Sequence, residues 1–239
     1  MRYFSEIKYR GKKLGEYTIE KIVGEGRYGL CFLAKTDTGS KVIIKKFKKS
    51  LFIKDSNKNI YEAVILSKLR DERIPEFLGV INQGSFYGFV LELKSGVTVK
   101  DMIFKDHHEF STEEFYNIGI KLINIIKYLH ENSIVHRDIR IPNVLIDGYN
   151  VVLIDFGLAR FADNNRYRYD LDYSYLGDFF LYLLYSSFQR DGGKKNLPWY
   201  KELPLQEKQK MFLKRLMGLE TVYESISDIE TDFIHAFGC

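Results

Sequence analysis

His136-Arg137-Asp138-Ile139-Arg140-Ile141-Pro142-Asn143 is the most informative run in the chain, and twelve residues beyond Asn143 comes Asp155-Phe156-Gly157. Tyr128-Leu129-His130-Glu131-Asn132 precedes the first and reads as a helix end, while Val151-Val152-Leu153-Ile154 precedes the second and reads as a short strand. Taken singly, Asp138 and Asp155 have an ordinary reading as turn residues, because aspartate bonds backbone N–H groups where the chain reverses. Their joint occurrence with Asn143 is what suggests chemistry.

Upstream of these runs the hydrophobic period is that of a helix. Phe115, Ile118, Leu122, Ile125, Ile126 and Leu129 recur every three or four residues, which predicts one buried helical face. Ser111 with Glu114 forms a capping-box pattern, and Phe110 with Phe115 a hydrophobic staple. Leu205 to Met217 predicts a further helix stopped by Gly218, and Ser227 with Glu230 is expected to cap a last helix ending near Phe237. Further upstream still, the period is two. Tyr17–Val23, Leu30–Lys35 and Lys41–Phe47 read as adjacent antiparallel strands, and Phe77–Ile81 and Phe86–Leu93 as two more. A short helix over Ile60–Leu69 interrupts them, with Val64 or Ile65, Leu66 and Leu69 on its apolar stripe. The change of period falls near residues 93 to 97.

Gly24-Glu25-Gly26-Arg27-Tyr28-Gly29 matches G-x-G-x-x-G, a pattern shared by unlike folds. A dinucleotide-binding version would open a helix. Here Leu30-Cys31-Phe32-Leu33-Ala34-Lys35 is extended and another strand follows, so a hairpin turn is expected, whether an ordinary one or one whose amides cover phosphates. Lys45, on the next strand, is either a solvated strand-end lysine or a phosphate contact held in place by Glu62. Lys46 and Glu72 stand as alternative partners.

In this order, the glycine turn, the lysine strand, the His-Arg-Asp run and the Asp-Phe-Gly run resemble the signatures of eukaryotic-type (Hanks-type) protein kinases. The resemblance spans about residues 17 to 188 and points to a compact bacterial serine/threonine kinase with a shortened activation segment. It implies an α+β, two-lobed protein-kinase-like fold. An antiparallel-sheet N-lobe would cover 1–95 and a mainly helical C-lobe 96–239, together one kinase domain. Asp138 would orient the acceptor hydroxyl or take its proton, while Asn143 and Asp155 would ligate Mg²⁺, with Mn²⁺ as a substitute. The terminal phosphate of ATP would meet Lys45, held by Glu62, from one side and the Asp138 and Asp155 pair, through metal, from the other. Gly24, Gly26 and Gly29 would cover those phosphates. Val23, Cys31 and Leu145 would cover the faces of adenine, Leu91 would close its back, and Glu92 and Leu93 would present backbone groups to its edge. His136 would be a packed scaffold residue.

The chain also departs from that family. Ile43 replaces an alanine in the adenine pocket, and Arg140 stands where serine/threonine kinases carry a lysine near the transferred phosphate. Asp172-Tyr173-Ser174-Tyr175-Leu176-Gly177 follows Asp155 by only 17 residues with no Ala-Pro-Glu element between them. Tyr223 lies near the expected place of a missing arginine. No serine or threonine lies between Gly157 and Tyr173, though Tyr167 and Tyr169 do. A protein substrate is the first expectation, together with autophosphorylation. A small-molecule acceptor or an ATP-dependent regulatory pseudokinase is the alternative.

Composition limits the remaining choices. With 239 residues, 45% apolar and 28% charged, the chain suits one large domain or two packed lobes, and excludes disorder and collagen-like repetition. Lys and Arg exceed Asp and Glu by 36 to 32, a net +4. The densest basic group, Lys45, Lys46, Lys48 and Lys49, reads as a solvated strand end, so no nucleic-acid partner is expected. Cys31 and Cys239 make neither a disulfide framework nor a Cys-x-x-Cys pair, which favours a reducing compartment and disfavours structural zinc. Met1–Glu6 is followed by no apolar signal-peptide core. Tyr173–Phe188, interrupted by Gly177 and Asp178, is shorter than the roughly 20 residues a bilayer requires. A cytoplasmic protein without a membrane partner is therefore expected.

Overall fold

Ile19 and Ile22 are both buried, at 1% and 4% exposure, although three residues apart on one strand. Strict alternation forbids that, and the register explains it. Between Ile19 and Lys21, and again between Ile22 and Gly24, the pairing slips by a β-bulge that returns an isoleucine to the core face. This is the source of the imperfect alternation read from 17 to 23. The strand, β2 (Tyr17–Glu25), follows β1 (Lys13–Leu14) and precedes β3 (Gly29–Thr36) and β4 (Lys41–Phe47). The computed structural model describes residues 8–25, 29–47, 56–84, 86–163, 165–189 and 197–238. Gly26, Lys48, Lys49 and Cys239 lie outside them.

The chain divides into two compact units, Met1–Lys94 and Ser95–Cys239. In the first, β5 (Phe77–Gln83) and β6 (Phe86–Glu92) complete an antiparallel sheet of order β1-β2-β3-β4-β6-β5. Helix α1 (Ser56–Lys68) stands between β4 and β5 in the chain. It begins earlier than its apolar stripe predicts, and Ile65 rather than Val64 joins Leu66 and Leu69 in the core. Leu14, Phe32, Ile44, Phe86 and Val90 belong to one buried cluster with the two isoleucines. Gly29 has a packing reason to be glycine, because a Cβ there would sit 1.8 Å from the carbonyl oxygen of Lys46.

The second unit opens with β7 (Val97–Thr98) and α2 (Val99–Phe104), then α3 (Thr112–Glu131). The capping box forms as expected: Ser111 Oγ accepts from Glu114 N at 3.2 Å and Glu114 Oε2 from Ser111 N at 2.8 Å. All six periodic apolar residues of α3 are buried, each contributing about 1.5–3 kcal/mol. Gly119 lets the ring of Phe233 lie against the helix, where a Cβ would approach it to 2.3 Å. β8 (Ile134–Val135), β9 (Val144–Asp147), β10 (Asn150–Leu153) and β11 (Arg160–Phe161) are short strands flanking the polar runs. α4 (Asp170–Ser186), α5 (Trp199–Glu202), α6 (Glu207–Leu216) and α7 (Ile226–Phe237) close the unit. Phe115, Phe180, Phe212, Phe233 and Phe237 share one aromatic core, with neighbouring centroids 4.7–6.1 Å apart.

Two helix ends test the sequence reading. Gly218 does stop α6, at φ +69°. The cap of α7, however, is Ser225 with Asp228, and not Ser227 with Glu230. Both pairs have the right spacing; the earlier start wins because it brings Ile226 and Ile229 into the core. Among the described residues no helix is long and apolar enough to cross a membrane.

Candidate active site

In the amino-terminal unit, Lys45 lies on β4 opposite Cys31 of β3 and Phe89 of β6. Alternation sends its neighbour Lys46 elsewhere, to within 5.7 and 5.6 Å of the ring centroids of Tyr9 and Phe86. Lys45 Nζ instead meets Glu62 Oε1 of α1 at 2.8 Å, the two residues being 9% and 1% exposed. The alternative partners are engaged separately, since the carbonyl of Glu72 accepts from Lys94. Taking both charges out of water costs several kcal/mol per ion before their attraction offsets it, so the pair fixes the ammonium in one place.

The other residues expected around a nucleotide base in this unit are spread along the same strands. Leu91 is buried and pairs with Ile43, which is half-buried. Gly24 pairs with Cys31, itself half-buried, and Val23 is exposed. Glu92 is committed more heavily than the sequence reading allows. Its amide donates to the Glu76 carbonyl at 2.9 Å, and its carboxylate accepts from Glu76 N and pairs with Lys94. The amide of Glu92 therefore has an internal partner, whereas Leu93 is exposed beside it. Gly26 is outside the described residues.

In the carboxy-terminal unit the polar runs are organised by a carboxylate to which the sequence reading gave no role. Asp172, in the first turn of α4 and fully buried, accepts from the backbone amides of His136 at 2.9 Å and Arg137 at 2.7 Å and meets His130 Nε2 at 3.0 Å. Two aspartates, Asp170 and Asp172, open the helix, and Asp172 is the one that turns inward. His136 is enclosed beside it with its ring edge-on to Phe156, as a scaffold residue should be. Burial pushes the imidazole below its usual range, only partly offset by Asp172, Asp155 and Asp138.

Asp138 is 7% exposed and carries three donors. Arg140 Nε donates to Oδ1 at 2.5 Å and Arg140 Nη2 to Oδ2 at 3.0 Å, while Asn143 Nδ2 donates to Oδ2 at 2.8 Å and to the Asp138 carbonyl at 2.9 Å. With its NH₂ so used, Asn143 directs its amide oxygen away from Asp138. Ile154 N bonds the Asn143 carbonyl at 2.8 Å and so ties this loop to the residue before Asp155. Asp155 itself is exposed and left-handed, at φ +64°, as is Arg137 at +67°. Such conformations cost roughly 1–2 kcal/mol in non-glycine residues and collect at functional sites. Leu145, buried on β9, pairs with Val152.

Comparison with known proteins identifies the family. The model of the protein kinase domain matches residues 17–177. The chain belongs to the protein kinase family. A Bacillus subtilis relative named "Probable serine/threonine-protein kinase YbdM" is 32% identical over 231 residues, covering 92% of this chain and 89% of its own. The Arabidopsis thaliana proteins named cyclin-dependent kinase E-1 and serine/threonine-protein kinase TIO are 36% and 31% identical over 166 and 153 residues. These matches cover 62% and 63% of this chain but only 34% and 11% of theirs.

As a protein kinase the chain is a phosphotransferase, with an α+β fold of two lobes, and uses ATP with a divalent metal. The donor chemistry fits such a metal. Among the described residues no group of three or more His, Cys, Asp or Glu could hold an ion alone. One carboxylate and one amide oxygen, completed by phosphates and waters, are the sparse oxygen set that a small hard cation accepts. Tyr223 bonds Asp232 at 2.9 Å, and Arg215 pairs with the same carboxylate at 2.7 Å and packs 3.8 Å from the tyrosine ring centroid.

Proposed function

We propose that this protein kinase transfers the γ-phosphoryl group of Mg²⁺-ATP to serine or threonine hydroxyls of a protein, including its own, in the cytoplasm. The observation that carries the reading is the enclosed Asp138 carboxylate, oriented by Asn143 within a loop clasped to Asp172. A carboxylate so held is suited to orient an acceptor hydroxyl and to take its proton as the oxygen attacks. Asn143 and Asp155 would hold the metal, which supplies charge neutralisation to the phosphates when bound; Mn²⁺ satisfies the same oxygen ligands. Lys45, fixed by Glu62, would contact those phosphates under a cover formed by Gly24, Gly26 and Gly29. Arg140, whose fork holds both oxygens of Asp138, would carry positive charge beside the transferred group.

The adenine would lie against Val23, Cys31, Ile43, Leu91 and Leu145, with Glu92 and Leu93 at its edge. Because the Glu92 amide already serves Glu76, the base edge would use the Glu92 carbonyl and the Leu93 amide. Residues 1–95 and 96–239 would act as one catalytic domain. The serine/threonine assignment draws on the names of the relatives, and the long match to the Bacillus protein supports it most.

The short stretch from Asp155 to Asp172 favours a second reading, a small-molecule acceptor, because it leaves little chain to dock an extended polypeptide. Transfer of label from γ-labelled ATP with Mg²⁺, followed by phosphosite mapping, separates the two. Label on serine or threonine is expected, falling 10²–10⁴-fold in Asp138→Asn and also lost in Asp155→Asn. Full transfer by Asp138→Asn would overturn the assignment, and label on small hydroxyl compounds alone would establish the second reading.

A further inference from the structure

Building on the proposed kinase reaction, the geometry points to Arg140 as a positioning residue that holds Asp138 closed until an acidic group on the acceptor draws it away. Both oxygens of Asp138 accept from the Arg140 fork, and Oδ2 also accepts from Asn143. Three of the roughly four acceptor positions of a carboxylate are thus occupied. The members of this cluster differ in exposure. Asn143 and Asp138 are 6% and 7% exposed, whereas the Arg140 side chain is 56% exposed. A hydroxyl arriving from solvent therefore meets the guanidinium before it meets the base.

Arginine cannot give up its charge to release a partner. It leaves a bidentate carboxylate most readily for another planar or tetrahedral anion that repeats the same two-bond geometry. A carboxylate or phosphate beside the acceptor hydroxyl offers that exchange, and a neutral neighbour does not. With Arg140 moved, the hydroxyl oxygen forms its bond to the γ-phosphorus as the bond to the β,γ-bridging oxygen breaks. ADP leaves with that electron pair, and the hydroxyl proton passes to Asp138.

A second observation favours acidic acceptors. The carboxy-terminal unit is acidic as a whole, with 17 Lys and Arg against 21 Asp and Glu, yet arginines gather at this loop. Arg137 and Arg166 lie 4.8 and 5.5 Å from the centroid of the same ring, Tyr167. That ring holds the exposed Arg166 near the residue preceding Asp138. Arg166 has no carboxylate within ion-pair distance among the described residues. The site thus offers one guanidinium that must be displaced and another that is free to receive negative charge.

The test uses the full chain, Mg²⁺-ATP and a panel of serine and threonine peptides, each made with Glu and with Gln beside the acceptor, and with phosphoserine there as a third form. The wild type is expected to favour the Glu and phosphoserine forms over Gln by tenfold or more in kcat/KM, mainly through kcat. Arg140→Met should bring that ratio close to one, because no fork then closes Asp138 to the Gln forms, and Arg140→Lys, which keeps charge without the fork, should retain part of the ratio. Equal wild-type rates on Glu and Gln forms, as would follow if the nucleotide's own phosphate released Arg140, overturn the latch and leave the kinase reading standing. An undiminished ratio in Arg140→Met also overturns it. No transfer to any peptide or protein, with ATP still bound, overturns both readings.

Discussion

Two ion pairs, one in each unit, are built from the same kinds of charge and differ in surroundings. Lys45–Glu62 has side chains 11% and 2% exposed, while Arg140–Asp138 has side chains 56% and 9% exposed. The first surrenders its hydration on both sides, so removing either member leaves a buried charge. In the second, the cation stays in water and loses little by changing partner. Similar contact distances therefore serve opposite ends: one fixes a group, and the other keeps a group exchangeable.

The comparison breaks most visibly at Glu62. Glu62→Ala should cost about 3–5 kcal/mol, by removing the enclosed carboxylate that the buried Lys45 ammonium meets, read as a shift in the urea midpoint; a change under about 1 kcal/mol would show that the pair is not enclosed. His136 sharpens it from another side, because here burial excludes charge without an ion pair. Its folded pKa lies below the unfolded value, so the contribution is complete above about pH 6.5 and declines as pH falls through the histidine range. Unfolding free energy should drop by up to about 1.4 kcal/mol per pH unit there, and His136→Phe should flatten that slope. The smallest effect belongs to Arg140→Met, expected to change stability by less than about 1 kcal/mol. A larger loss on thermal melting would place the pair with Lys45–Glu62.

Legibility in the sequence followed the range of the forces involved. The capping box at Ser111, the stop at Gly218 and the face of α3 are set by neighbours within a turn or two, and were readable. So was Lys45 in preference to Lys46, since alternation decides which side of a sheet a residue faces. β1 escaped notice because two residues carry no period. α7 was misplaced because two serines share one cap spacing, and the choice rests on Ile226 finding a core elsewhere in the chain. The clasp on Asp172 was hidden for the same reason, since 34 residues separate it from Asp138, whereas the Arg140 fork spans only two residues and depends on side-chain conformations that spacing does not give.

Gly29 carries a consequence for how mutations in the glycine turn should be read. A methyl group there would collide with the carbonyl of Lys46, the residue next to Lys45 on the adjoining strand. An alanine would thus pry two strands apart and tilt the ammonium from its bearing, without touching a phosphate at all. Inactivity in such a variant is the signature of a displaced lever.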